Sequence, residues 1–514
     1  MNGAEALLRT LVGSDVDVCF ANPGTSEMHF VAALDRVPEM RAVLTLFEGV
    51  ATGAADGYAR LAGKPAATLL HLGPGLGNGW ANLHNARRAH VPLVNVVGDH
   101  ATYHQRFDAL LQSDLWGLAR STSAWQRSTM RAVDVGPDAA DAVAASYGPP
   151  GRIATLVVPA DVSWTEGAAP APRRPVPSPS AVPAETVEGV ADVLGSGARA
   201  VLLIGGAAMH ERGLDAAARI AYATGAKLLA ETFPPVQSRG GGLPDVEKLA
   251  YFGEMAMGQL DGARHLVLAG AKRPVSFFAY PGKPSDLVPE GMTVHELAGP
   301  AQDVPGALAA LADALGADVR APLEPARRPD RPSGRLTTES MAAAVGHLLP
   351  EDAIVVDESV TSGLSVPGAT SAGPRHDWLA VTGGSIGQGL PAATGAAVAA
   401  PGRRVLSLEA DGSAMYTLQA LWTQAREGLD VTTLLLANHS YAILQFELAR
   451  VGATGSGERA AAMLDLHHPV LDFVGLARGM GVPAERATTA DELSSLLEQS
   501  FADSGPMLVE AVLA

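Results

Sequence analysis

Residues 404–444 carry the clearest structural pattern of this chain, in the sequence RVLSLEADGSAMYTLQALWTQAREGLDVTTLLLANHSYAIL. Its apolar run 405–408 has the length of a buried strand and leads into Asp411-Gly412-Ser413, where small residues let backbone N–H groups approach an anion. A helix-like segment follows, with apolar residues spaced about 3.6 positions apart, and a second apolar run at 431–437 ends in Asn438-His439-Ser440. The pattern predicts a strand–helix–strand unit whose oxygen-bearing residues share the carboxyl edge of a parallel sheet, where such sheets bind ligands.

These oxygen-bearing residues suit a hard divalent cation that carries a diphosphate. Asp411 supplies a carboxylate oxygen, Asn438 on the next strand supplies an amide oxygen, and the carbonyl of Ser440 could be the third protein ligand. Two phosphate oxygens and a water would complete the octahedral oxygen shell that Mg²⁺ prefers. Asp and Asn also favour strand ends because they bond their own backbone, so spacing alone leaves an ordinary turn as an equal alternative.

Similar patterns run along the rest of the chain. Short runs rich in Val, Ile and Leu alternate with Ala-rich helical stretches, which is typical of parallel sheets wrapped by helices. We therefore expect an α/β protein with three doubly wound parallel-sheet domains. The predicted strands are 16–20, 42–46, 67–70, 93–97, 200–204, 266–268, 354–356, 405–408 and 432–436.

Two proline-rich stretches divide the chain. Residues 166–185 and 319–335 lack apolar periodicity, which is typical of extended linkers. The predicted domains are therefore 1–165, 186–318 and 336–514, each of ordinary domain size.

The composition excludes several classes of partner. The 514 residues carry a formal net charge of −17, and an acidic surface argues against nucleic acid and anionic membranes, which attract basic patches. The amino terminus lacks a basic segment followed by an apolar core, and no apolar run reaches roughly 18 residues, so we expect a cytoplasmic protein with no membrane partner. The single cysteine, Cys19, lies in an apolar run and is expected to be buried.

Glu48 stands where a predicted strand meets a predicted helix. Its neighbours Leu46, Phe47 and Val50 are apolar, so its carboxyl group is expected to be largely desolvated. An acid in the first turn of a helix also complements the helix dipole, and without other evidence that structural role would be favoured.

The motifs together resemble those of the thiamine-diphosphate-dependent family of acetolactate synthases and benzoylformate decarboxylases. This family has a GDG motif followed on the next strand by an asparagine, which matches 410–412 and Asn438 except that Ala410 replaces the first glycine. It also has a glutamate followed by an Ala/Gly-rich helix and GYAR, which matches Glu48 and residues 57–60. The resemblance covers nearly the whole chain and implies a pyrimidine-binding, a central and a diphosphate-binding domain, in that order.

The resemblance also assigns roles to residues. Glu48 would bond N1′ of the cofactor's aminopyrimidine, a carbonyl at Gly384 would bind the 4′-amino group, and Ile386 would wedge between the two rings. The implied cofactors are thiamine diphosphate and Mg²⁺, the catalytic residues are Glu48 and His71, and the metal ligands are Asp411, Asn438 and Ser440. The other implied cofactor-binding residues are Pro23, Gly24, Thr361, Gly412, Ser413 and Tyr441, and the substrate pocket would be lined by Thr25, His71, Ile443, Leu444 and Phe446.

The implied reaction class is the conversion of 2-oxo acids or 2-hydroxy ketones through a thiamine-bound enamine. Acetolactate synthase-like carboligation after decarboxylation is the expected activity, and benzoylformate-type non-oxidative decarboxylation is the alternative. A flavin-dependent oxidase or a non-catalytic regulatory homologue is the alternative from another class. FAD is not expected, since residues 272–283 contain no flavin fingerprint.

His71 bears on the choice between the two reactions. It precedes a glycine-rich segment, 73–79, which is expected to be a turn, at the place where benzoylformate decarboxylase carries an active-site histidine. A lone histidine at a strand end is more often structural, and that alternative stays open. The decarboxylase's second histidine has no counterpart in residues 275–280, which favours carboligation.

The resemblance also predicts an oligomer. In the family the cofactor lies between the first domain of one subunit and the third domain of another, and Glu48 and Asp411 fall in those two domains. We therefore expect a homodimer or homotetramer that acts on a small 2-oxo acid or aldehyde.

Overall fold

The computed structural model describes residues 1–320, 322–323, 325–453 and 457–513. In this part of the chain three sheets follow one another, each built mainly of parallel strands with helices between them. The predicted α/β fold class is confirmed. The domain boundaries stay a prediction, as do the linkers 166–185 and 319–335.

The first sheet places three loops side by side. Its strand order is β2-β1-β3-β4-β6-β5, and every pair is parallel. The loops that follow β1, β2 and β3 therefore open at one edge. The elements are α1 (Gly3–Gly13), β1 (Val18–Asn22), α2 (Met28–Leu34), β2 (Arg41–Leu44), α3 (Glu48–Ala62), β3 (Ala66–Leu70), α4 (Leu72–Arg88), β4 (Leu93–Asp99), α5 (Leu115–Arg120), β5 (Trp125–Ser128), α6 (Val135–Tyr147), β6 (Ile153–Pro159) and α7 (Ala160–Trp164).

The central sheet has the strand order β10-β8-β7-β11-β12, again parallel throughout. The short strand β9 belongs to this segment of the chain but pairs with the third sheet. The elements of the segment are α8 (Ala184–Gly195), β7 (Ala200–Ile204), α9 (Glu211–Thr224), β8 (Lys227–Ala230), β9 (Gln237–Arg239), β10 (Glu247–Lys248), α10 (Gly253–Leu260), β11 (His265–Ala269), β12 (Thr293–Ala298) and α11 (Val304–Ala314).

The third sheet has the order β17-β18-β16-β15-β13-β14-β9, with β9 antiparallel to β14. The carboxyl ends of β16, β15, β13 and β14 are neighbours at one edge. The elements are α12 (Thr338–Leu348), β13 (Ala353–Glu358), α13 (Val366–Thr370), β14 (His376–Ala380), α14 (Gly389–Ala399), β15 (Val405–Ala410), α15 (Asp411–Ala414), α16 (Ala420–Glu427), β16 (Val431–Ala437), α17 (Ala442–Arg450), α18 (Glu458–Ala462), α19 (Phe473–Gly479), β17 (Ala484–Ala487), α20 (Ala490–Ala502) and β18 (Met507–Val512).

Helix α3 packs closely against α14. This contact joins the part of the chain that forms the first sheet, called the first unit, to the part that forms the third sheet, called the third unit. A Cβ atom at Gly57 would lie 2.1 Å from the carbonyl oxygen of Ala392, and one at Gly395 would lie 1.8 Å from that of Ala54. Only glycine fits at such distances, because any larger side chain would force the two backbones apart. Helix α3, whose first residue is Glu48, is therefore held along its middle by α14.

A buried polar network supports the same contact. The guanidinium of Arg60 donates to both carboxylate oxygens of Asp56 at 2.8 Å and to the carbonyl oxygen of Ala380 at 2.8 Å. The amide of Gln388 also bonds Asp56. Because the charges of Asp56 and Arg60 are paired inside the protein, removing either partner would leave an uncompensated buried charge.

Two local predictions are wrong. The glycine-rich segment 73–79 is not a turn, since it forms the first turns of α4. Its glycines allow close contacts there: a Cβ at Gly73 would lie 2.3 Å from the side chain of Ser113, and one at Gly79 would lie 2.8 Å from Thr52. The helix expected after Ser413 begins only at Ala420, as α16, because residues 415–419 form turns. In these turns the hydroxyl of Thr417 donates to the carbonyl oxygen of Gly387 at 3.0 Å.

Among the described residues, no helix combines the length and the apolar character needed to cross a bilayer. Cys19 lies buried in β1, as expected.

Candidate functional site

Glu48 begins α3 beside the first turns of α4. Its side chain is buried, with 6% of its surface exposed, and Oε2 accepts a hydrogen bond from Nδ2 of Asn78 at 3.0 Å. A Cβ atom at Gly75 would lie 3.2 Å from Oε1, so the glycine leaves room around the carboxylate. The burial expected from the sequence is confirmed, and the bond from Glu48 to the cofactor stays a prediction.

His71 lies against a second acid that sequence reasoning missed. Its Nδ1 atom lies 2.8 Å from Oε2 of Glu27, and the same oxygen accepts the backbone N–H of Gly24 at 2.8 Å. The loop after β1 and the end of β3 are neighbours in the sheet, which brings the residues together. A Glu three residues after a turn glycine is also a common helix-start pattern, so the sequence carried only a weak signal for this role.

Glu27 is almost fully enclosed, with 3% of the residue's surface exposed. Burial raises the pKa of its carboxyl group, while the nearby His71 and the Gly24 amide act in the opposite direction. Its Oε1 atom has no hydrogen-bond partner among the described residues and borders a cavity of about 10 Å³. That is close to the smallest volume that holds a water molecule, which would complete the bonding of the carboxyl group.

The residues predicted as oxygen ligands follow the neighbouring strands β15 and β16 at one edge of the third sheet. Asp411 is 2% exposed and follows β15, where its two oxygens accept the N–H groups of Gly412 at 2.8 Å and His439 at 2.6 Å. The Oδ1 atom of Asn438 accepts the N–H of Ser440 at 3.0 Å. Burial raises the pKa of Asp411, and these amides and His439 oppose the rise.

Asn438 is oriented by a neighbour on the next loop. Its Nδ2 atom donates to Oγ of Ser362 at 3.2 Å, so its oxygen faces the opposite way, towards the Ser440 amide. Thr361, a predicted cofactor ligand, precedes Ser362 in the loop after β13. The ring of Tyr441 lies over Gly412, where a Cβ would be 2.4 Å from Cε1.

The loop that carries Gly384 and Ile386 runs between the first and third units. Glu358 at the end of β13 accepts the N–H of Gly387 at 2.6 Å, and Nδ2 of Asn85 in α4 donates to the carbonyl oxygen of Ser385 at 2.7 Å. Gly384 has a φ of 71°, and a Cβ there would meet no atom within 4 Å. The loop is thus held by hydrogen bonds to Glu358 and Asn85, while no atom lies near the backbone position where a side chain of residue 384 would begin.

Three strained residues flank the predicted site residues. Leu72 follows His71 with a φ of 48°, Val360 precedes Thr361 with a φ of 51°, and His439 lies between two predicted metal ligands with a φ of 52°. Residues other than glycine, and β-branched ones above all, rarely adopt this backbone conformation. The strain costs about 1–3 kcal/mol per residue and persists where the surroundings impose it, often at functional sites.

The predicted residues therefore form two groups. Pro23, Gly24 and Thr25 follow β1, near Glu48 and His71 at the edge of the first sheet, while the other predicted ligands lie at the edge of the third. Ile443, Leu444 and Phe446 extend from the second group along α17. Within the described residues, no hydrogen bond joins Glu48 or His71 to Asp411, Asn438 or Ser440.

The second group fits Mg²⁺ and a diphosphate. Its donors are a carboxylate, a neutral amide oxygen and a main-chain carbonyl, which are the hard ligands this ion takes. Gly412, which lies under the Tyr441 ring, and the buried Ser413 lie beside them. Bringing a cation to the buried Asp411 would compensate the desolvation of its carboxylate.

Comparisons with known proteins agree with this geometry. The family profile described as "Thiamine pyrophosphate enzyme, N-terminal TPP binding domain" matches residues 1–120, and "Thiamine pyrophosphate enzyme, C-terminal TPP binding domain" matches residues 366–511. A Mycobacterium tuberculosis protein named as a candidate acetolactate synthase large subunit is 60% identical over 514 residues, 100% of this chain and 99% of that protein. The chain belongs to the thiamine pyrophosphate enzyme family.

Two further relatives of this thiamine pyrophosphate enzyme are decarboxylases. Benzoylformate decarboxylase of Pseudomonas aeruginosa is 30% identical over 522 residues, 96% of this chain and 95% of that protein. The solved 4-hydroxybenzoylformate decarboxylase of Rhodococcus jostii RHA1, which is thiamine diphosphate-dependent, superposes with a TM-score of 0.87 at 25% identity, covering 100% of this chain and 99% of that one. The resemblance to the acetolactate synthase and benzoylformate decarboxylase family is confirmed.

Proposed function

We propose that this chain binds thiamine diphosphate with Mg²⁺, decarboxylates a small 2-oxo acid and joins the product to an aldehyde or ketone. The observation that carries the proposal is the meeting of Asp411, Asn438 and Ser440 at the ends of two neighbouring strands. The family membership supports the cofactor, and the oxygen donors support the metal.

The protein's part in the reaction is to bind, orient and exchange protons. Thiamine diphosphate, when bound, supplies the electron sink for the carbon–carbon bond chemistry. Asp411, Asn438 and the Ser440 carbonyl would hold the cation that neutralises the diphosphate. Gly384 and Ile386, on the fixed loop after β14, would set the orientation of the two rings.

Glu48 is proposed as the group that exchanges a proton with the aminopyrimidine. It is enclosed, lies at the first turn of a helix and is held by one amide, that of Asn78. A carboxyl group that is shielded from water and fixed in place can hold or release a proton at one defined atom.

His71 is proposed as the group that meets the reacting carbon or the incoming carbonyl. With Glu27 bonded at Nδ1, the imidazole presents Nε2 as its free nitrogen. Decarboxylation alone is the second candidate reaction, because His71 matches the place where benzoylformate decarboxylase carries an active-site histidine. Carboligation is preferred because residues 275–280 contain no second histidine to complete a proton relay.

A homodimer, or a homotetramer built from dimers, is proposed as the active form. Both groups of site residues are bordered by apolar side chains that are exposed in the single chain: Leu46 near Glu48, and Leu364, Met415 and Tyr416 near the oxygen ligands. An isologous dimer would cover these side chains and bring the two groups together twice. A monomer in sedimentation that still binds the cofactor tightly would contradict this arrangement.

The test is a screen of 2-oxo acids with thiamine diphosphate and Mg²⁺, in which released CO₂ and acyloin products are measured. CO₂ together with acyloin supports carboligation, and CO₂ with only the aldehyde supports the second candidate. Omission of either cofactor should abolish both products. Visible flavin absorbance in the purified protein would instead favour an oxidase.

A further inference from the structure

Helix α17 carries three predicted pocket residues, but none of its residues is buried in the protein core. It comprises nine residues, Ala442–Arg450. An isolated helix shorter than about 12 residues is marginal in water, so its position depends on contacts with the rest of the chain. The residues that make those contacts therefore influence where Ile443, Leu444 and Phe446 lie.

Arg450, the last residue of α17, is bound by side chains of the central segment. Its guanidinium lies 4.5 Å from the ring centre of Phe252 and 4.6 Å from that of Tyr280. Its Nη2 atom donates to Oε2 of Glu254 at 2.8 Å, and Lys283 bonds the other carboxylate oxygen. The two rings and the carboxylate together surround one side chain of the third unit.

A second contact lies one turn earlier on the helix. The hydroxyl of Tyr280 donates to Oε2 of Glu447 at 2.8 Å, and Tyr280 is 8% exposed. Residues 443, 446, 447 and 450 lie on one face of a helix, because side chains three and four positions apart are neighbours. The anchored face therefore also carries Ile443 and Phe446, so the two contacts fix the rotation of α17 about its axis.

We propose that Arg450 and Tyr280 are positioning residues through which the central segment holds α17 and thereby sets the choice among 2-oxo acids. This inference rests on the proposed function for the identity of the substrate, but not for the mechanical role of the clamp. The clamp is defined as Phe252, Glu254, Tyr280, Glu447 and Arg450.

Arginine is suited to this clamp because its planar guanidinium stacks on rings while its N–H groups bond a carboxylate. The ion pair alone would contribute little, since Glu254 is about half exposed and exposed pairs are weak. A lysine at position 450 keeps the charge but loses the planar contact with the two rings. Arg450→Lys is thus expected to anchor α17 only slightly better than Arg450→Met does.

The first measurement is hydrogen exchange of the backbone amides of 442–450 in the purified, cofactor-free protein. Arg450→Met is expected to raise the exchange rate about tenfold, because α17 loses its anchor and opens locally. Tyr280→Phe, which removes one hydroxyl, is expected to give a smaller rise. Arg426→Met is the matched control, since Arg426 stacks on Trp422 at 5.3 Å on α16, away from the clamp.

The second measurement is the ratio of kcat/KM between a small and a bulky 2-oxo acid. A variant that only loses active protein changes both values by one factor and leaves the ratio unchanged. Arg450→Met is expected to change the ratio about threefold or more, which corresponds to a small shift of the pocket wall.

Unchanged exchange in both Arg450→Met and Tyr280→Phe overturns the clamp. Faster exchange with an unchanged substrate ratio overturns its role in selection. If the native protein turns over no 2-oxo acid, the proposed function fails, and the exchange result still decides whether the clamp exists.

Discussion

The Nδ1 atom of His71 lies 2.8 Å from Oε2 of Glu27, which also accepts the backbone N–H of Gly24. We expect His71→Ala to lower turnover of the best 2-oxo acid by about 10²-fold, the usual size of a lost acid–base step. Glu27→Gln is expected to lower it by about tenfold or more, because an amide no longer selects one imidazole tautomer. Neither change should weaken cofactor binding, which calorimetry would measure.

The exposed His29 offers a control in the same segment, and His29→Ala should leave turnover unchanged. Full activity in His71→Ala would show that His71 is structural and would contradict its proposed role at the reacting carbon.

Glu27 also marks a limit of sequence reasoning. Glu48 begins a recognisable motif, whereas Glu27 lies in a short 3₁₀ turn, Thr25–Glu27, where the local pattern indicates only helix capping. Its role depends on β1 and β3 being neighbours in the sheet, and that contact joins residues 44 positions apart. No local pattern could have predicted it.

The metal assignment predicts a loss of binding on removal of one charge. Asp411→Asn should weaken Mg²⁺-dependent binding of thiamine diphosphate by about tenfold or more, because the ion loses its one anionic protein ligand. Titration calorimetry at several Mg²⁺ concentrations measures the effect. Asp503→Asn, at an exposed carboxylate, is the control, and equal binding by both variants would exclude Asp411 as a ligand.

The close packing of α3 on α14 predicts a large effect from one methyl group. Gly395→Ala should lower the free energy of unfolding by about 1–3 kcal/mol or more, because its Cβ would lie 1.8 Å from the Ala54 carbonyl oxygen. Gly189→Ala on α8 is the control: its Cβ meets no atom within 4 Å, so we expect stabilisation of about 0.5–1 kcal/mol. Thermal unfolding compares them, and equal midpoints would contradict the packing.

The fold was easier to predict than this contact. Strands such as 200–204 and 266–268 are apolar runs buried on both faces, and each became a strand within one or two residues of its expected bounds. The antiparallel strand Gln237–Arg239 was missed because it has no apolar run and is held by pairing with β14 of another unit. Local pattern predicts elements, while their partners depend on the tertiary structure.

Glu231 in the central sheet predicts a dependence of stability on pH. Burial raises the pKa of its carboxyl group from 4.5 to about 7, although the Gly206 amide and Lys272 oppose the rise. The folded state therefore binds this proton more tightly than the unfolded state, so the contribution of Glu231 to stability is full below pH 4.5 and is lost as pH rises through about 7. The shift corresponds to roughly 3 kcal/mol.

Glu231→Gln should remove this part of the slope, since Oε1 can still accept the Gly206 N–H, which lies at 2.7 Å, without titrating. Unfolding midpoints of the native protein and the variant, measured from about pH 4.5 to pH 8, give the difference. The exposed Glu351→Gln is the control. Parallel pH curves for native protein and Glu231→Gln would contradict the prediction.

We expect this chain to activate thiamine diphosphate through Glu48. The most direct measurement is the exchange of the cofactor's C2 proton in deuterated water, followed by NMR after an acid quench. We predict that the native protein with Mg²⁺ exchanges this proton far faster than the free cofactor does. Glu48→Gln should slow the exchange by about 10²-fold or more with cofactor binding retained, while Glu39→Gln, at an exposed site, should not. Exchange at the free-cofactor rate in the native protein, or an equal rate in Glu48→Gln, would contradict the account.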